Sequence, residues 1–380
     1  MKIRLWLCLV ALMSLVACRE EEGIVSSTDT EVPGASGRGE IKGFFLLNEG
    51  NMGNNKATLD YYDYEQGVYT KNIYAERNPG VVKELGDVGN DLQIYGEKLY
   101  AVINCSHFVE VMDVNTAKHI TQISIPNCRY ITFDKGYAYV SSYAGPVAID
   151  PNARLGYIAK IDTATMEVVD SCVVGYQPEE MAVVGNKLYV ANSGGYRVPH
   201  YDRTLSVIDL STFKEIKKVD VAINLHRVAA DRFGHVYVSS RGDYKTIPSS
   251  TYMLDARTDE VICDLHLPNS EMEVCGDSLY IYNYDYGRQS VSYTLYDLLR
   301  GEVVAQQHIA AGMGLNIEVP YGIAVNPETK EIFITDAKDY VTPGKLYCFD
   351  KDGRYKWSVT TGDIPAHFAF TKKKLQSINH

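Results

Sequence analysis

Length, composition and charge limit the possible functions before any motif is considered. The chain has 380 residues, with 48 acidic and 37 basic side chains and a formal net charge of -11. An acidic chain is a poor candidate for binding nucleic acid. Its length allows one large repeat domain or two ordinary domains. Tyrosine is abundant, with 29 residues against 10 Phe and 2 Trp, which indicates an exposed aromatic surface because tyrosine suits wet interfaces.

Residues 1–17 have the pattern of a lipoprotein signal peptide. Lys2 and Arg4 supply positive charge, and the apolar run from Leu5 to Leu15 is too short to span a bilayer. The sequence Leu15-Val16-Ala17-Cys18 is typical of a bacterial lipobox and predicts lipidation of Cys18. An ordinary signal peptide with an incidental cysteine is the alternative.

The segment 18–40 is predicted to be a lipidated, flexible tether. It contains the acidic run Arg19-Glu20-Glu21-Glu22, which resembles the surface-export signal of Bacteroidetes lipoproteins, and then has few large apolar residues. Such a segment cannot bury enough surface to order itself. We therefore expect a protein that is lipid-anchored in the outer membrane and exposed at the cell surface.

A repeated strand pattern predicts the fold of residues 41–373. A β-rich run recurs about every 48 residues, and a period of this size is typical of repeat architectures. Its aligned aromatic residues are Phe44, Tyr100, Tyr139, Tyr189, Tyr237, Tyr280 and Phe333. With about four strands in each unit, seven units predict an all-β, seven-bladed β-propeller.

A second motif keeps the same period and ends a strand in aspartate before a polar turn. Its members are Asp63, Asp113, Asp162, Asp209, Asp255, Asp297 and Asp350. We interpret them as turn residues rather than catalytic residues, because an aspartate at a strand end accepts backbone N–H bonds.

The C-terminus supplies one strand that the first unit lacks. We expect Pro365–Phe370 to pair with Glu40–Asn48 and close the ring of blades, which removes a free sheet edge. Residues 374–380 are expected to form a C-terminal tail.

The loops on the face where the inner strands begin are predicted to form a binding face. These loops are longer than those of the opposite face, and elaborated loops on a rigid scaffold commonly carry binding sites. The candidate ligand-binding residues are Asn51, Arg129, Tyr143, Tyr176, Tyr196, Arg227, Arg241, Tyr284, Tyr286, Tyr321 and His367.

The first residues of the aligned inner strands are expected to surround the mouth of the central channel. In blade order they are His367, Asp91, Arg129, Glu180, Arg227, Glu271 and Gly322. The alternation of acid and base indicates either ion pairs between blades or the polar floor of a ligand site. Because guanidinium groups stand between the carboxylates, we predict no metal site.

The lack of recognised catalytic motifs favours a binding protein over an enzyme. The sequence has no GxSxG, HExxH, P-loop or CxxCH motif, so no catalytic residues are assigned. A propeller lactonase or other hydrolase is one alternative, and a propeller that binds haem through His226 or His367, a glycan or a partner protein is another. Cys105 and Cys128 lie near the same face and form a candidate disulfide.

Four stretches carry a resemblance to a known family. They are Leu47-Asn48-Glu49-Gly50-Asn51-Met52-Gly53, Glu84-Leu85-Gly86-Asp87-Val88-Gly89-Asn90-Asp91, Tyr100-Ala101-Val102-Ile103-Asn104-Cys105-Ser106 and Pro126-Asn127-Cys128-Arg129-Tyr130-Ile131-Thr132. With the lipobox, they make the chain similar to the YncE-like propeller lipoproteins of gut Bacteroidetes, and among them to the BtuG-type surface proteins. The resemblance implies capture of cobalamin (vitamin B12) and related corrinoids, and delivery to a BtuB-type TonB-dependent outer-membrane transporter. Cobalamin would be a transported ligand rather than a cofactor.

Overall fold

The computed structural model describes residues 26–33, 39–81, 84–309 and 315–373, and their regular secondary structure is almost entirely β-strand. Their strands form seven antiparallel sheets arranged as blades. The elements are β1 (Thr28–Glu31), β2 (Ile41–Asn48), β3 (Thr58–Asp63), β4 (Val68–Lys71), α1 (Ile73–Arg77), β5 (Gly89–Tyr95), β6 (Lys98–Ile103), β7 (Phe108–Asp113), β8 (His119–Ser124), β9 (Cys128–Asp134), β10 (Tyr137–Ser142), β11 (Tyr157–Asp162), β12 (Val168–Val173), β13 (Pro178–Val184), β14 (Lys187–Asn192), β15 (Thr204–Asp209), β16 (Lys214–Asp220), β17 (Leu225–Ala230), β18 (His235–Ser240), β19 (Ser250–Asp255), β20 (Glu260–Asp264), β21 (Glu271–Cys275), β22 (Ser278–Asp285), β23 (Ser290–Asp297), β24 (Glu302–Gln306), β25 (Pro320–Val325), β26 (Ile332–Asp336), β27 (Lys345–Phe349), β28 (Tyr355–Thr360) and β29 (Pro365–Lys372).

The blades follow one another around a central axis, as the repeat predicted. Blade 1 has the order β1-β4-β3-β2-β29, and blades 2 to 7 are four-stranded sheets whose innermost strands are β5, β9, β13, β17, β21 and β25. Each inner strand contacts the inner strands of its two neighbours, including β29 with both β5 and β25. The protein is therefore an all-β, seven-bladed propeller.

The C-terminal strand closes blade 1, which confirms the predicted pairing. β29 runs antiparallel to β2, with Phe44 opposite Phe370 and Leu46 opposite Phe368. Phe44 is fully buried, and its ring centroid lies 4.8 Å from that of Phe333 and 5.5 Å from that of Phe368. Closure thus joins blade 1 and blade 7, the first and last of the ring, in one apolar cluster.

The recurring aspartates shape turns, also as predicted. Oδ1 of Asp162 accepts the backbone N–H groups of Ala164 at 2.8 Å and Thr165 at 3.1 Å, and these bonds lower the pKa of Asp162. The other six aspartates of the motif accept backbone N–H groups two to four residues further along the chain. Each bond holds a turn on the side of the propeller opposite the long loops.

Part of the predicted flexible tether is a strand instead. β1 adds a fifth strand to blade 1 by pairing with β4, and Oδ1 of Asp29 accepts a 2.7 Å hydrogen bond from the Thr70 hydroxyl. Val32, directly after β1, is buried against the apolar cluster of blades 1 and 7. The prediction from composition was wrong for these residues because backbone pairing with an open sheet edge requires few apolar side chains.

The predicted signal peptide, Cys18 and the tail 374–380 lie outside the described residues. In the part of the chain that the structure describes, no helix is long and apolar enough to cross a membrane.

Candidate functional site at the channel mouth

The inner strands all begin on the face that carries the long loops, so their first residues surround the mouth of the channel. Long connections on this face include 143–156, 193–203, 241–249 and 337–344, each between the second and third strands of a blade. Ten of the eleven candidate residues lie in connections between the second and third strands of a blade, at the starts of inner strands or in a strand that leads into such a connection. Tyr176 lies just before β13. The structure brings most of them into two groups on opposite sides of the mouth.

The first group is built around Glu179, which belongs to blade 4. Oε1 of Glu179 accepts hydrogen bonds from the Tyr143 hydroxyl at 2.6 Å and from Nη1 of Arg241 at 3.3 Å. Oε2 accepts from Nε and Nη2 of Arg129 at 3.4 and 3.3 Å. Burial alone would raise the pKa of Glu179, but Arg129 and Arg241 outweigh it and lower this pKa. Glu179 is therefore a buried carboxylate that ties together blades 3, 4 and 5.

Aromatic rings surround the same carboxylate. The guanidinium carbon of Arg129 lies 4.8 Å from the ring centroid of Tyr143, within range of a cation–π contact. The ring of Tyr196 meets that of Tyr143 edge to face, with centroids 6.2 Å apart. Arg129, Tyr143, Tyr196 and Arg241 thus form the cationic half of the mouth.

The second group lies across the mouth, on blades 6, 7 and 1. The Tyr321 hydroxyl donates a 2.8 Å hydrogen bond to Oε2 of Glu49, and Nε2 of His367 lies 3.2 Å from Oε1 of the same carboxylate. Burial, followed by the charge of Glu49, raises the pKa of Tyr321. Its hydroxyl therefore stays protonated and acts as a donor over the physiological pH range.

Three more tyrosines extend this second group toward solvent. The rings of Tyr284 and Tyr286 meet edge to face at 4.6 Å, and the hydroxyls of Tyr286 and Tyr340 lie 3.0 Å apart. The Tyr340 ring in turn contacts the ring of Tyr321 at 5.9 Å. The side chains Glu49, Tyr284, Tyr286, Tyr321, Tyr340 and His367 thus form the tyrosine half of the mouth.

Arg227 lies between the two halves and carries the ion pairs expected between blades. Its Nη1 is 3.9 Å from Oε1 of Glu180, and its Nη2 forms a closer ion pair with Oε2 of Glu271. The guanidinium carbon also lies 5.2 Å from the ring centroid of Tyr130. These ion pairs also place charged groups at the floor of the mouth. The charged ring can therefore be both a set of ion pairs between blades and the polar floor of a ligand site.

The rest of the predicted charge alternation is wrong in detail. Arg129 pairs with Glu179 and not with Glu180 or Asp91, whereas Oδ2 of Asp91 accepts the backbone N–H of Ile131 at 2.8 Å. Gly322 leaves its position in the ring without a side chain because a Cβ there would lie 2.1 Å from the carbonyl oxygen of Ala366.

An irregularity in the register at the start of β13 explains why the sequence analysis did not identify Glu179. The pairing of β13 with β14 shifts register between Pro178 and Met181, and this irregularity turns Glu179 and Glu180 toward different arginines. Irregularities of this kind bend a strand and redirect side chains, so a strict period of two fails there. A similar shift in β17 occurs between Leu225 and Val228.

Sequence reasoning also missed Glu49, Tyr130 and Tyr282. The Tyr282 hydroxyl donates a short hydrogen bond to the carbonyl oxygen of Tyr321, and the Tyr130 hydroxyl lies 3.1 Å from Nε2 of His226. Glu49 and Tyr130 stand within the stretches 47–53 and 126–132 that carried the family resemblance, and these positions were the available signal. Tyr130 and Tyr282 lie inside strands, where they are indistinguishable in sequence from core tyrosines.

Besides Arg227, two candidate residues belong to neither group. The ring of Tyr176 lies 3.6 Å from the guanidinium carbon of Arg197, further out on the same face. The Asn51 carbonyl oxygen accepts the N–H of Asn54 at 3.0 Å within its own turn. Neither side chain has a described contact with Glu179 or Glu49.

Carboxyl groups beside Arg227 hold protons more tightly than usual. Burial is the largest cause for Glu180 and Glu271, and it raises both pKa values despite the opposing effect of Arg227. For Glu273, burial followed by the charge of Glu180 raises the pKa to about 8.

Within the described ranges, no three His, Cys, Asp or Glu side chains converge as they would around a metal ion.

The candidate disulfide is not formed in the structure. Cys105 and Cys128 are both free thiols, and Sγ of Cys128 is directed at the carbonyl oxygens of Ile103 and Phe108, at 3.5 and 3.4 Å. Cys128 faces the apolar cluster between blades 2 and 3, so its side chain points into the core.

A cleft with a volume of about 340 Å³ opens beside the tyrosine half, between blades 6 and 7. Tyr284, Asn316, Glu318 and Lys338 are among its lining residues. The cleft continues the surface of the mouth outward, so the face presents aromatic rings, amides and charged groups over a wide area. This arrangement can hold a large polar ligand through stacking and hydrogen bonding.

Fold and site together define a seven-bladed β-propeller with one elaborated, tyrosine-rich face. The chain belongs to the family described as a domain of unknown function, DUF5074, which matches residues 42–370. No curated protein matches the sequence.

Two solved structures illustrate the likeness of the fold. Hydrazine synthase of Kuenenia stuttgartiensis is 16% identical with a TM-score of 0.57, over 70% of this chain and 77% of that chain. The computationally designed Ika8 protein is 11% identical with a TM-score of 0.53, over 88% and 92% of the two chains. At these identities the similarity shows the fold alone.

Proposed function

We propose that this protein binds a ligand rather than transforming one, and that it captures cobalamin and related corrinoids at the channel mouth. The observation that carries the proposal is the convergence of tyrosine and arginine side chains from blades 3 to 7 around one opening. A wide polar and aromatic surface of this kind suits a large ligand better than a small substrate.

The chemistry of the two halves matches the chemistry of a corrinoid. The corrin ring is broad and flat, and its edge carries amide groups. Tyr284 and Tyr286 offer aromatic faces and edges for contact with the ring, while Arg129 and Arg241 offer hydrogen-bond donors for amide oxygens. Tyrosine combines both kinds of contact at a low cost in conformational entropy.

The cellular role that we propose rests on the sequence. Lipidation at Cys18 would anchor the protein in the outer membrane, exposed at the cell surface, and the resemblance to BtuG supports delivery of the corrinoid to a BtuB-type TonB-dependent transporter. Two or more acyl chains would hold the protein firmly, since each buried CH₂ contributes about 0.8 kcal/mol.

The histidine environments favour a corrinoid over haem. Nε2 of His226 is engaged with the Tyr130 hydroxyl, and Nε2 of His367 is engaged with Glu49. Burial, followed by the charges of Arg241 and Arg227, lowers the pKa of His226, so its imidazole is neutral but enclosed. Axial ligation of a haem iron through Nε2 would require either histidine to give up its protein partner.

Isothermal titration of the purified protein with cyanocobalamin tests the proposal. We expect saturable binding at micromolar protein or below, and haemin titrated in parallel should produce no stoichiometric Soret shift. Absence of heat with cyanocobalamin at micromolar protein would overturn the proposal. A Soret shift that disappears on changing His367 or His226 to alanine would point to haem instead.

A further inference from the structure

The two halves of the mouth differ in charge. Blades 3 and 5 contribute Arg129 and Arg241, whereas blades 6, 7 and 1 contribute tyrosines, Glu49 and His367. A ligand seated over the mouth would therefore meet a cationic surface on one side only. This asymmetry occurs in a protein whose net charge is strongly negative, so general surface composition does not account for it.

Glu179 balances only one of the two guanidinium charges beside it. Its carboxylate accepts from Arg129 and Arg241 at 3.3–3.4 Å, longer than the 2.7–2.9 Å that is typical of strong charge-assisted bonds. The Tyr143 hydroxyl makes the shortest contact, at 2.6 Å. The Ser193 hydroxyl lies 3.2 Å from the same oxygen but closer, at 2.9 Å, to the carbonyl oxygen of Gln177. The carboxylate thus divides its acceptor capacity among several donors and leaves one positive charge in excess.

The neighbouring groups do not remove this excess charge. The two carboxylates closest to Arg227, those of Glu180 and Glu271, form ion pairs with that residue. His226 lies beside Tyr130 and is held neutral by its surroundings. Both arginines also remain reachable from the mouth, because 14% of the Arg129 side chain and 24% of the Arg241 side chain are exposed.

We infer that Arg129 and Arg241 together form a subsite for one anionic oxygen group of the ligand, and that in a corrinoid this group is the phosphate of the nucleotide loop. The inference rests on the proposed corrinoid function and adds to it the orientation of the ligand: the phosphate side lies over blades 3 to 5 and the corrin ring over the tyrosine half. Guanidinium groups suit this role because they bind phosphate oxygens with directed, paired hydrogen bonds.

Cobinamide and cobinamide phosphate provide the test, since they differ only in the phosphate group. Affinities of both are measured for the wild type, Arg241→Gln and Arg241→Lys, with the melting temperature of each variant as a check on folding. Arg203→Gln is the matched control, because Arg203 lies on the outer part of the same face and pairs with Asp220.

For the wild type, we expect cobinamide phosphate to bind about tenfold more tightly than cobinamide, or better, because a hydrogen bond to a charged group contributes on that scale. Arg241→Gln should bring this ratio close to one, because it removes the contact with the phosphate and so weakens cobinamide phosphate by a larger factor than cobinamide. Arg241→Lys should keep part of the preference, Arg203→Gln should keep all of it, and added salt should reduce it.

Two results would overturn the inference, and they are distinguishable from each other. If the wild type binds both corrinoids equally, or if Arg241→Gln weakens both to the same extent, the arginines serve the structure or the ring and not the phosphate. If the wild type binds neither compound nor cyanocobalamin, the proposed function itself fails, and the phosphate subsite fails with it.

Discussion

The hydroxyl of Tyr143 and the carboxylate of Glu179 are joined by a 2.6 Å hydrogen bond across the boundary between blades 3 and 4. The Glu179 side chain is 1% exposed, so water cannot replace its partners. The same carboxylate holds an arginine from blade 3 and another from blade 5. Glu179 therefore has a structural role, since it links three blades, and it also sets the charge of the face that carries the long loops.

Glu179→Gln tests this double role. The change removes the charge that compensates Arg129 and Arg241, and breaking one partner of a buried ion pair typically costs about 3–5 kcal/mol. We expect the unfolding free energy to fall by an amount in that range, measured by urea denaturation. Glu302→Gln is the control, because Glu302 is an exposed residue of the outer strand β24 and its replacement should change stability by less than about 0.5 kcal/mol. Equal effects from both variants would contradict the role given to Glu179.

The raised pKa of Glu273 determines the direction in which this residue makes the unfolding free energy change with pH. Burial and the charge of Glu180 raise its pKa to about 8, whereas a glutamate in an unfolded chain has a pKa of about 4.3. Between these pH values the folded protein keeps a proton that the unfolded chain has released. The unfolding free energy should therefore decrease as the pH rises through this window, by at most about 1.4 kcal/mol per pH unit for this group.

Thermal melts of the wild type and Glu273→Gln between pH 5 and pH 8 measure this effect. We expect the melting temperature of the wild type to fall toward pH 8, and the variant to show a shallower decline because its amide does not titrate. Glu302→Gln should keep the wild-type slope. A Glu273→Gln profile parallel to that of the wild type would show that other groups cause the dependence.

The strand that closes the ring predicts a sharp difference between two truncations. A chain that ends at residue 363 lacks β29 and exposes the β2 edge, so we expect loss of cooperative unfolding, measured by circular dichroism during heating. A chain that ends at residue 373 keeps β29 and should melt like the wild type. If the chain ending at residue 363 kept the wild-type melting temperature, closure by β29 would not stabilise the fold.

A point substitution tests the same closure with the chain length unchanged. Phe44→Ala should cost about 3–5 kcal/mol, the range for removal of a buried phenylalanine, because Phe44 contacts Phe333 and Phe368. Phe233→Ala, at a position that is 39% exposed, should cost much less.

These contacts show why the fold could be predicted from the sequence and the site only in part. Phe44, Tyr100 and their counterparts recur because every blade buries an equivalent residue against its neighbour, and the aspartates recur because every blade makes an equivalent turn. A ring of blades repeats its physical requirements, so the sequence repeats as well. The closing strand followed from the same logic, since one unit lacked a strand and the C-terminus had one to spare.

The face with the long loops breaks this repetition, and its contacts were predicted less well. Arg129, Tyr143 and Arg241 were assigned to the right face by their positions after or before strands. Their common partner Glu179 could not be chosen over Glu180, because the irregular start of β13 is set by packing between blades and leaves no local pattern. β1 was missed for a related reason, since its pairing depends on an open edge about 40 residues away in sequence.

Tyr286 provides the last prediction, which separates ligand binding from stability. Its side chain is 64% exposed, yet it is held by ring contact with Tyr284 and by a hydrogen bond with Tyr340. An exposed aromatic ring fixed in this way can contact a ligand with little further ordering cost. Tyr286→Ala should therefore weaken cyanocobalamin binding by about 30-fold, as expected for a binding hot spot, while the melting temperature changes little.

The matched control for this prediction is Tyr355→Ala. Tyr355 is also exposed, at 45%, but it begins the outer strand β28 on the side of the short turns. Titration calorimetry should give the wild-type affinity for this variant, because it removes an exposed tyrosine ring that lies away from the mouth. If Tyr355→Ala weakened binding as much as Tyr286→Ala, the ligand would lie on the opposite face and the tyrosine half of the mouth would not be its site.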